Sequence, residues 1–163
     1  MAQAKRVPTG QERAIPHLVV DNAAAAIDFY RKAFGAEELM RMPAPDGRRL
    51  FHAEIRLGAS VIYLCDDFPE MCGGRSQTPK ALGGTPVTIH HYVEDCDAII
   101  QRAGKAGAKV VRPPEDMFWG DRYGAVEDPF GHHWSFASHV RDVSPQEMAA
   151  AVEAMARETA AKS

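Results

Sequence analysis

The chain has 163 residues, 45% of them hydrophobic and 25% charged, with a net charge of −3 and a pI near 6.1. That length supports one compact domain with a real core, and the acidic balance argues against nucleic acid as a partner, which would call for a basic patch or stripe. No apolar run approaches the ~18 residues of a membrane span, and the polar stretch from Met1 to Gln11 lacks a signal-peptide core, so the expectation is a cytoplasmic protein with no membrane partner.

Residues 1–13 are polar and expected to be flexible. Ile15 to Val20 reads as a strand, with Pro16 at its start or edge. Asn22 is placed to cap the following helix, in which Ile27, Tyr30 and Phe34 keep helical spacing and after which Gly35 is the stop. Glu38 to Met42 and Arg49 to Leu57 are strands joined through Pro45-Asp46-Gly47, and Val61 to Cys65 is a fourth strand. Residues 67–85 hold glycine, proline and serine with little periodicity and read as a linking loop.

Val87 to Val93 is the next strand, Cys96 to Ala106 a helix, and Lys109 to Arg112 a strand that Pro113-Pro114 should end. Tyr123 to Glu127 is a short strand, Asp128-Pro129-Phe130-Gly131 a turn, and His133 to Ser138 the last strand. A tail helix follows, with Ser144 as N-cap, Pro145 as first helical residue and Glu147 closing a capping box. Met148, Val152 and Met155 give that helix an apolar stripe for the domain or a partner subunit.

These elements repeat. Ile15-Pro-His-Leu-Val-Val-Asp21 leads into a helix that closes on Phe34-Gly35-Ala36, and Ile89-His-His-Tyr-Val-Glu-Asp95 into one that closes on Ala106-Gly107-Ala108. The two glycine stops stand 72 residues apart. That period is too long and too sparse for a solenoid, and it implies two paired βαβββ modules. His17 and His90 are the matched side chains that would line a cleft between such modules.

The two βαβββ halves, Phe29-Tyr30 with Phe34-Gly35, and Asp128-Pro129-Phe130-Gly131-His132 before the last strand together resemble the vicinal oxygen chelate superfamily. Glyoxalase I, bleomycin-resistance proteins, fosfomycin-resistance enzymes and extradiol dioxygenases belong to it. Asp116-Met-Phe-Trp-Gly-Asp-Arg-Tyr-Gly124 further resembles a glyoxalase-like branch. The resemblance implies that the two tandem modules form curved half-barrel sheets, so the expected fold is α+β with the C-terminal helix added to them. It covers a single glyoxalase-like domain at 14–140, which follows the flexible N-terminus at 1–13. Module one is 14–66, the linker 67–85, module two 86–140, and the C-terminal helix lies within 141–163. It also implies a homodimer with cavities in which the enzymatic members hold a divalent metal.

Those members place four ligands on inward strand faces, typically His or Gln, Glu, His and Glu. The corresponding positions here are Ala14 or Ile15, then His52, Thr88 and Ser135. Only His52 carries a nitrogen or carboxylate donor, so a zinc-type site lacks its ligands. Residues two apart on a strand share a face, however, which adds His17, Glu54, His90 and His133, with Tyr92 alongside. Core strands seldom bury several imidazoles without a polar purpose. The expected ligand-binding set is therefore His17, His52, Glu54, His90, Tyr92, His133 and Ser135, joined by Trp119 and Arg122 on the aromatic loop. The expectation is a cavity for a small organic ligand with no cofactor. The alternative is a metal-dependent lyase, isomerase or dioxygenase using His17, His52, Glu54 and His90 as metal ligands, with Glu54 the candidate proton carrier.

Each residue also has a plainer reading. His91, next to His90, faces the other side. His132 would fasten backbone groups in its turn, His139 would sit exposed at the domain end, and Asp121 and Arg122 would fasten the loop while Trp119 fills the core. Glu54 would pair with Arg56 or Arg122. Cys65 would pack, a catalytic thiol being the lesser reading, and the three cysteines Cys65, Cys72 and Cys96, with no CxxC pair, fit reduced thiols.

Overall fold

Strand β1, His17–Val20, leads into helix α1, Ala23–Phe34, and three strands follow: β2 (Glu37–Pro43), β3 (Leu50–Leu57) and β4 (Ser60–Asp66). The structure is a computed structural model that describes residue 6 and residues 13–161. The flexible segment expected at 1–13 thus lies outside the described residues except for Arg6 and Arg13. A 3-10 turn at Pro69–Met71 and the four-residue helix α2, Pro79–Leu82, occupy the stretch expected to be plain loop. Then come β5 (Thr88–Tyr92), α3 (Cys96–Ala106), β6 (Lys109–Asp116), β7 (Asp121–Glu127), β8 (His133–His139) and α4 (Pro145–Ala161).

The two halves use one topology. The first sheet has the order β1-β4-β3-β2 and the second β5-β8-β7-β6. In each, the opening strand pairs in parallel with the closing strand and the other pairings are antiparallel. The chain divides into two compact units. One runs through Pro86 and takes in Pro129–His132; the other comprises Val87–Asp128 and the chain from His133 onward.

In the first unit, the Asn22 side chain accepts from Ala25 N at 3.0 Å, and Gly35 closes α1 in the left-handed region. Buried Asp66 reinforces the helix start: Oδ1 accepts from Ala23 N at 2.9 Å and Oδ2 from Leu50 N at 2.6 Å. One face of α1 buries Ala26, Ile27, Tyr30 and Ala33, and Val20, Ala53, Ile55, Ile62 and Leu64 are among the buried residues of the strands. Phe130 joins this core beside Phe29 and Tyr30, with ring centroids 6.3 Å from each, and His132 Nε2 lies 3.0 Å from the Val19 carbonyl. His132 therefore fastens backbone, as its place in a turn suggested.

In the second unit, Asp95 caps α3 through Ala98 N at 2.9 Å, and Ser138 Oγ accepts from Cys96 N while donating to the Val93 carbonyl. Helix α3 buries Ile99, Ile100 and Ala103, and the sheet buries Val126, Trp134 and Phe136. Gly124 is required for this approach, since a Cβ there would lie 2.9 Å from Ile100 Cγ1. Trp134 Nε1 donates to the buried Asp128 carboxylate at 2.9 Å, which braces the start of the Asp-Pro-Phe-Gly turn.

Two expectations are corrected. Pro113-Pro114 does not end β6, which continues to Asp116. The strand lies at the sheet edge, and its register shifts between Arg112 and Glu115, so neither proline has to donate a ladder hydrogen bond. Strand β7 also begins two residues before Tyr123, at Asp121. The capping box at α4 forms as expected, with Glu147 N donating to Ser144 Oγ at 3.2 Å and Ser144 N to Glu147 Oε2 at 2.8 Å. Of its apolar stripe, Val152 and Met155 stay half exposed.

Candidate functional site

Strand alternation gives each sheet one face toward its own helix and one face turned away from it. On β3, Ala53, Ile55 and Leu57 are buried beneath α1, so His52, Glu54 and Arg56 take the other side. The ladder sets His17 opposite Tyr63 and Tyr63 opposite Glu54. The result is a polar aromatic group. His52 and Tyr63 meet edge to face at 4.6 Å, His17 stands 6.1 Å from each, and His52 Nε2 lies 3.2 Å from Glu54 Oε1. Burial, and then the neighbouring His52, lower the His17 pKa and favour its neutral imidazole. Arg56 is turned away to Glu37, so Glu54 pairs with His52 rather than with arginine.

The second sheet carries the counterpart. His90 is opposite Ser135 in the β5–β8 ladder, and its Nδ1 lies 2.8 Å from Ser135 Oγ, a hydroxyl only 2% exposed. Tyr123 stacks on His90 at 6.0 Å with an interplanar angle of 16°, and Tyr92 meets His90 edge-on at 5.0 Å. Trp119 closes on Tyr123 at 6.0 Å, with Phe118 behind it at 5.0 Å. The Tyr92 hydroxyl donates to Asp121 Oδ2 at 2.8 Å, a bond that raises the Tyr92 pKa. His133 lies at the far end of the same ladder, opposite Thr88, with Nε2 3.7 Å from Glu127 Oε2.

Of the expected residues, His17, His52 and Glu54 come together on the first sheet. His90, Tyr92, Ser135 and Trp119 come together on the second, with His133 further along. Arg122 does not join them. It alternates with Tyr123 and so faces the helix, where its guanidinium holds Asp97 of α3 and Asp116. This is the loop-fastening role. His91 likewise faces the helix side, where burial lowers its pKa.

Sequence reasoning passed over Tyr63, left Tyr123 out of the ligand face, and gave Asp121 only a place on the aromatic loop, as its fastener or part of its wall, and His139 only an exposed place at the domain end. The signal for both tyrosines was parity: Tyr63 shares a face with Cys65, and Tyr123 is one residue from Arg122. Cys65 and Cys96 have raised pKa values, from burial first and then from nearby carboxylates, which disfavours a reactive thiolate at either.

The family model described as Glyoxalase/Bleomycin resistance protein/Dioxygenase superfamily matches residues 14–136. The chain belongs to that superfamily. An uncharacterized protein of Mycobacterium tuberculosis is 61% identical over 137 residues, covering 84% of this chain and 80% of its own length. Among solved structures, TioX from Micromonospora sp. ML1 is 29% identical with a TM-score of 0.61, covering 79% of this chain and 99% of that one. The Arabidopsis thaliana At5g48480 gene product is 30% identical with a TM-score of 0.62, covering 77% and 97%.

The divalent metal that the superfamily implies can be tested against these side chains. Among the described residues, no group of three or more His, Cys, Asp or Glu side chains is placed to hold a metal ion. His52 Nε2 is directed at Glu54, and the Ser135 hydroxyl at His90. Hydroxyls are weak donors for a catalytic transition metal, so the residues present do not fit the superfamily's four-ligand centre.

Proposed function

We propose that this glyoxalase-superfamily chain binds a small organic ligand of aromatic character on the sheet faces turned away from their own helices, without the superfamily's usual metal centre. The observation that carries this is the His90 group. A histidine backed by a buried hydroxyl, with a tyrosine stacked on it and another at its edge, offers flat apolar surface together with a polar ring nitrogen. Ligand sites combine these features, an apolar and aromatic lining with few placed polar groups. Trp119 extends the wall. The His17, His52, Glu54 and Tyr63 group is the corresponding surface on the first sheet.

A second reading is favoured by the His52–Glu54 contact. A carboxylate beside an imidazole is a proton-transfer pair, and Glu54 would carry the proton in a lyase, isomerase or dioxygenase step. The homodimer and cytoplasmic location belong to the same proposal. Exposed Leu39, Met40 and Met42 on edge strand β2 support association with a second copy.

The test is a screen of aromatic fragments against the full chain by protein-observed NMR, repeated on His90→Ala and His52→Ala. Binding lost from a folded His90→Ala variant supports the proposal. Binding untouched by either substitution overturns it.

A further inference from the structure

Asp121 opens β7 only 5% exposed, covered by the groups that bond it. Its Oδ2 accepts from the Tyr92 hydroxyl at 2.8 Å and its Oδ1 from His139 Nδ1 at 2.9 Å. His139 continues the chain of contacts, with Nε2 donating to Asp142 Oδ1 at 3.0 Å. An imidazole that gives both ring hydrogens to carboxylates is the imidazolium.

The backbone closes the same clasp. Val140 N and Arg141 N both donate to the Gly120 carbonyl, at 2.9 and 3.1 Å. Gly120 has φ +98, and a Cβ there would lie 2.1 Å from the Arg141 carbonyl oxygen. The loop that carries Trp119 and the segment leaving β8 are therefore held as one piece.

The groups facing His139 are Asp121 on β7, Tyr92 on β5 and Asp142 beyond the end of β8. Glu94 and His91 line the same open hollow of about 470 Å3. Arg141 is turned instead to Glu147, at 3.7 Å.

We propose that Asp121 and His139 are positioning residues for the ligand face: the His139 imidazolium fixes the Asp121 carboxylate as acceptor for Tyr92, and loss of the His139 proton loosens the clasp that carries Tyr92 and the Trp119 loop. This rests on the ligand-binding reading above and adds its regulation. A neutral imidazole has one N–H and can serve only one of the two carboxylates, leaving the other against a ring lone pair. The clasp then opens toward Asp142 or toward Asp121. Hydrogen bonds from Asp121 and then Asp142 raise the His139 pKa above its ordinary 6.5. Burial works to raise the Asp121 pKa, but the bonds from His139 and Tyr92 outweigh it and the net direction is down. A histidine with a raised pKa stabilises most below its unfolded value and loses that contribution as pH rises through the folded one. Order in the wall is thus complete in mild acid and declines on the alkaline side of 6.5.

NMR titration of the full chain tests this, following the His139 ring and the Trp119 indole N–H, the latter assigned with Trp119→Phe. The expected result is one shared midpoint above 6.5, which His139→Gln removes from the Trp119 trace. Asp142 is fully exposed, so Asp142→Asn preserves the fold, and it should move the shared midpoint down. A Trp119 resonance that stays flat while His139 titrates, or a midpoint that neither substitution moves, overturns the proposal. Failure of every fragment to bind while the shared midpoint persists would remove the ligand reading and leave the positioning role. Binding that persists without the shared midpoint would do the reverse.

Discussion

His90 Nδ1 lies 2.8 Å from the hydroxyl of Ser135, across the parallel pair β5–β8, and Ser135 is almost wholly buried while His90 is exposed. The buried partner therefore orients the exposed one. Ser135→Ala removes that anchor and should cost about 1 kcal/mol of stability by urea denaturation, the usual net worth of one hydrogen bond. His90→Ala leaves the buried Ser135 hydroxyl without this partner and should cost about 1–3 kcal/mol by the same measurement, with the chain still folded. The two variants should nevertheless weaken fragment binding together.

Asp66 is the carboxylate that ties α1, β3 and β4 together. In Asp66→Ala the amides of Ala23 and Leu50 lose their acceptor. An unsatisfied buried group costs about 1–3 kcal/mol, so with two such amides the variant should lose roughly 2–6 kcal/mol, read as a lower urea midpoint. Asp66→Asn keeps one carbonyl acceptor and should lose less.

Gly124 holds α3 against β7. In Gly124→Ala the new methyl would meet Ile100 Cγ1 at 2.9 Å and the Arg112 carbonyl oxygen at 3.3 Å. Overpacking of this kind costs about 1–3 kcal/mol. A fall in Tm is expected, and Gly124→Ala/Ile100→Ala, which removes both Cγ1 and Cδ1 of the clashing side chain, should fall by less than the sum of the two single variants.

Burial first, and then a neighbouring histidine, lower the pKa of both His17 and His91. A histidine whose folded pKa is lowered contributes stability that is complete above its unfolded value of 6.5 and is lost as pH falls through the folded one. NMR titration should place both midpoints below 6.5, opposite in direction to His139. Stability should decline in acid from about pH 6.5 downward, and His17→Gln should flatten part of that decline.

The duplicated fold was legible because its punctuation is local chemistry. Asn22 and Asp95 cap, Gly35 and Gly107 stop, and Ser144 with Glu147 forms a capping box, each within a few residues of chain. The Pro113-Pro114 reading failed because two prolines are tolerated at a shifted edge strand, and edge position is a property of the sheet. At the candidate site, parity along single strands brought His52 beside Glu54, and His90 to the face of Tyr92. It did not reach contacts made across strands. Tyr63 lies between His17 and His52 only through the β1–β4–β3 register, and Asp121 meets His139 only because β7 pairs with β8. Arg122 shows the same limit from the other side, since its partner Asp97 sits 25 residues away on α3.

The most direct measurement is fragment binding by the full chain after exhaustive chelation, followed residue by residue by NMR. Metal-free binding on the face turned away from α3 predicts perturbations centred on His90, Tyr92, Tyr123 and Trp119, undiminished by chelation and abolished in His90→Ala. Binding that appears only when zinc, nickel, manganese or iron is restored at one equivalent per chain, or perturbations confined to the helix-covered faces, would contradict it.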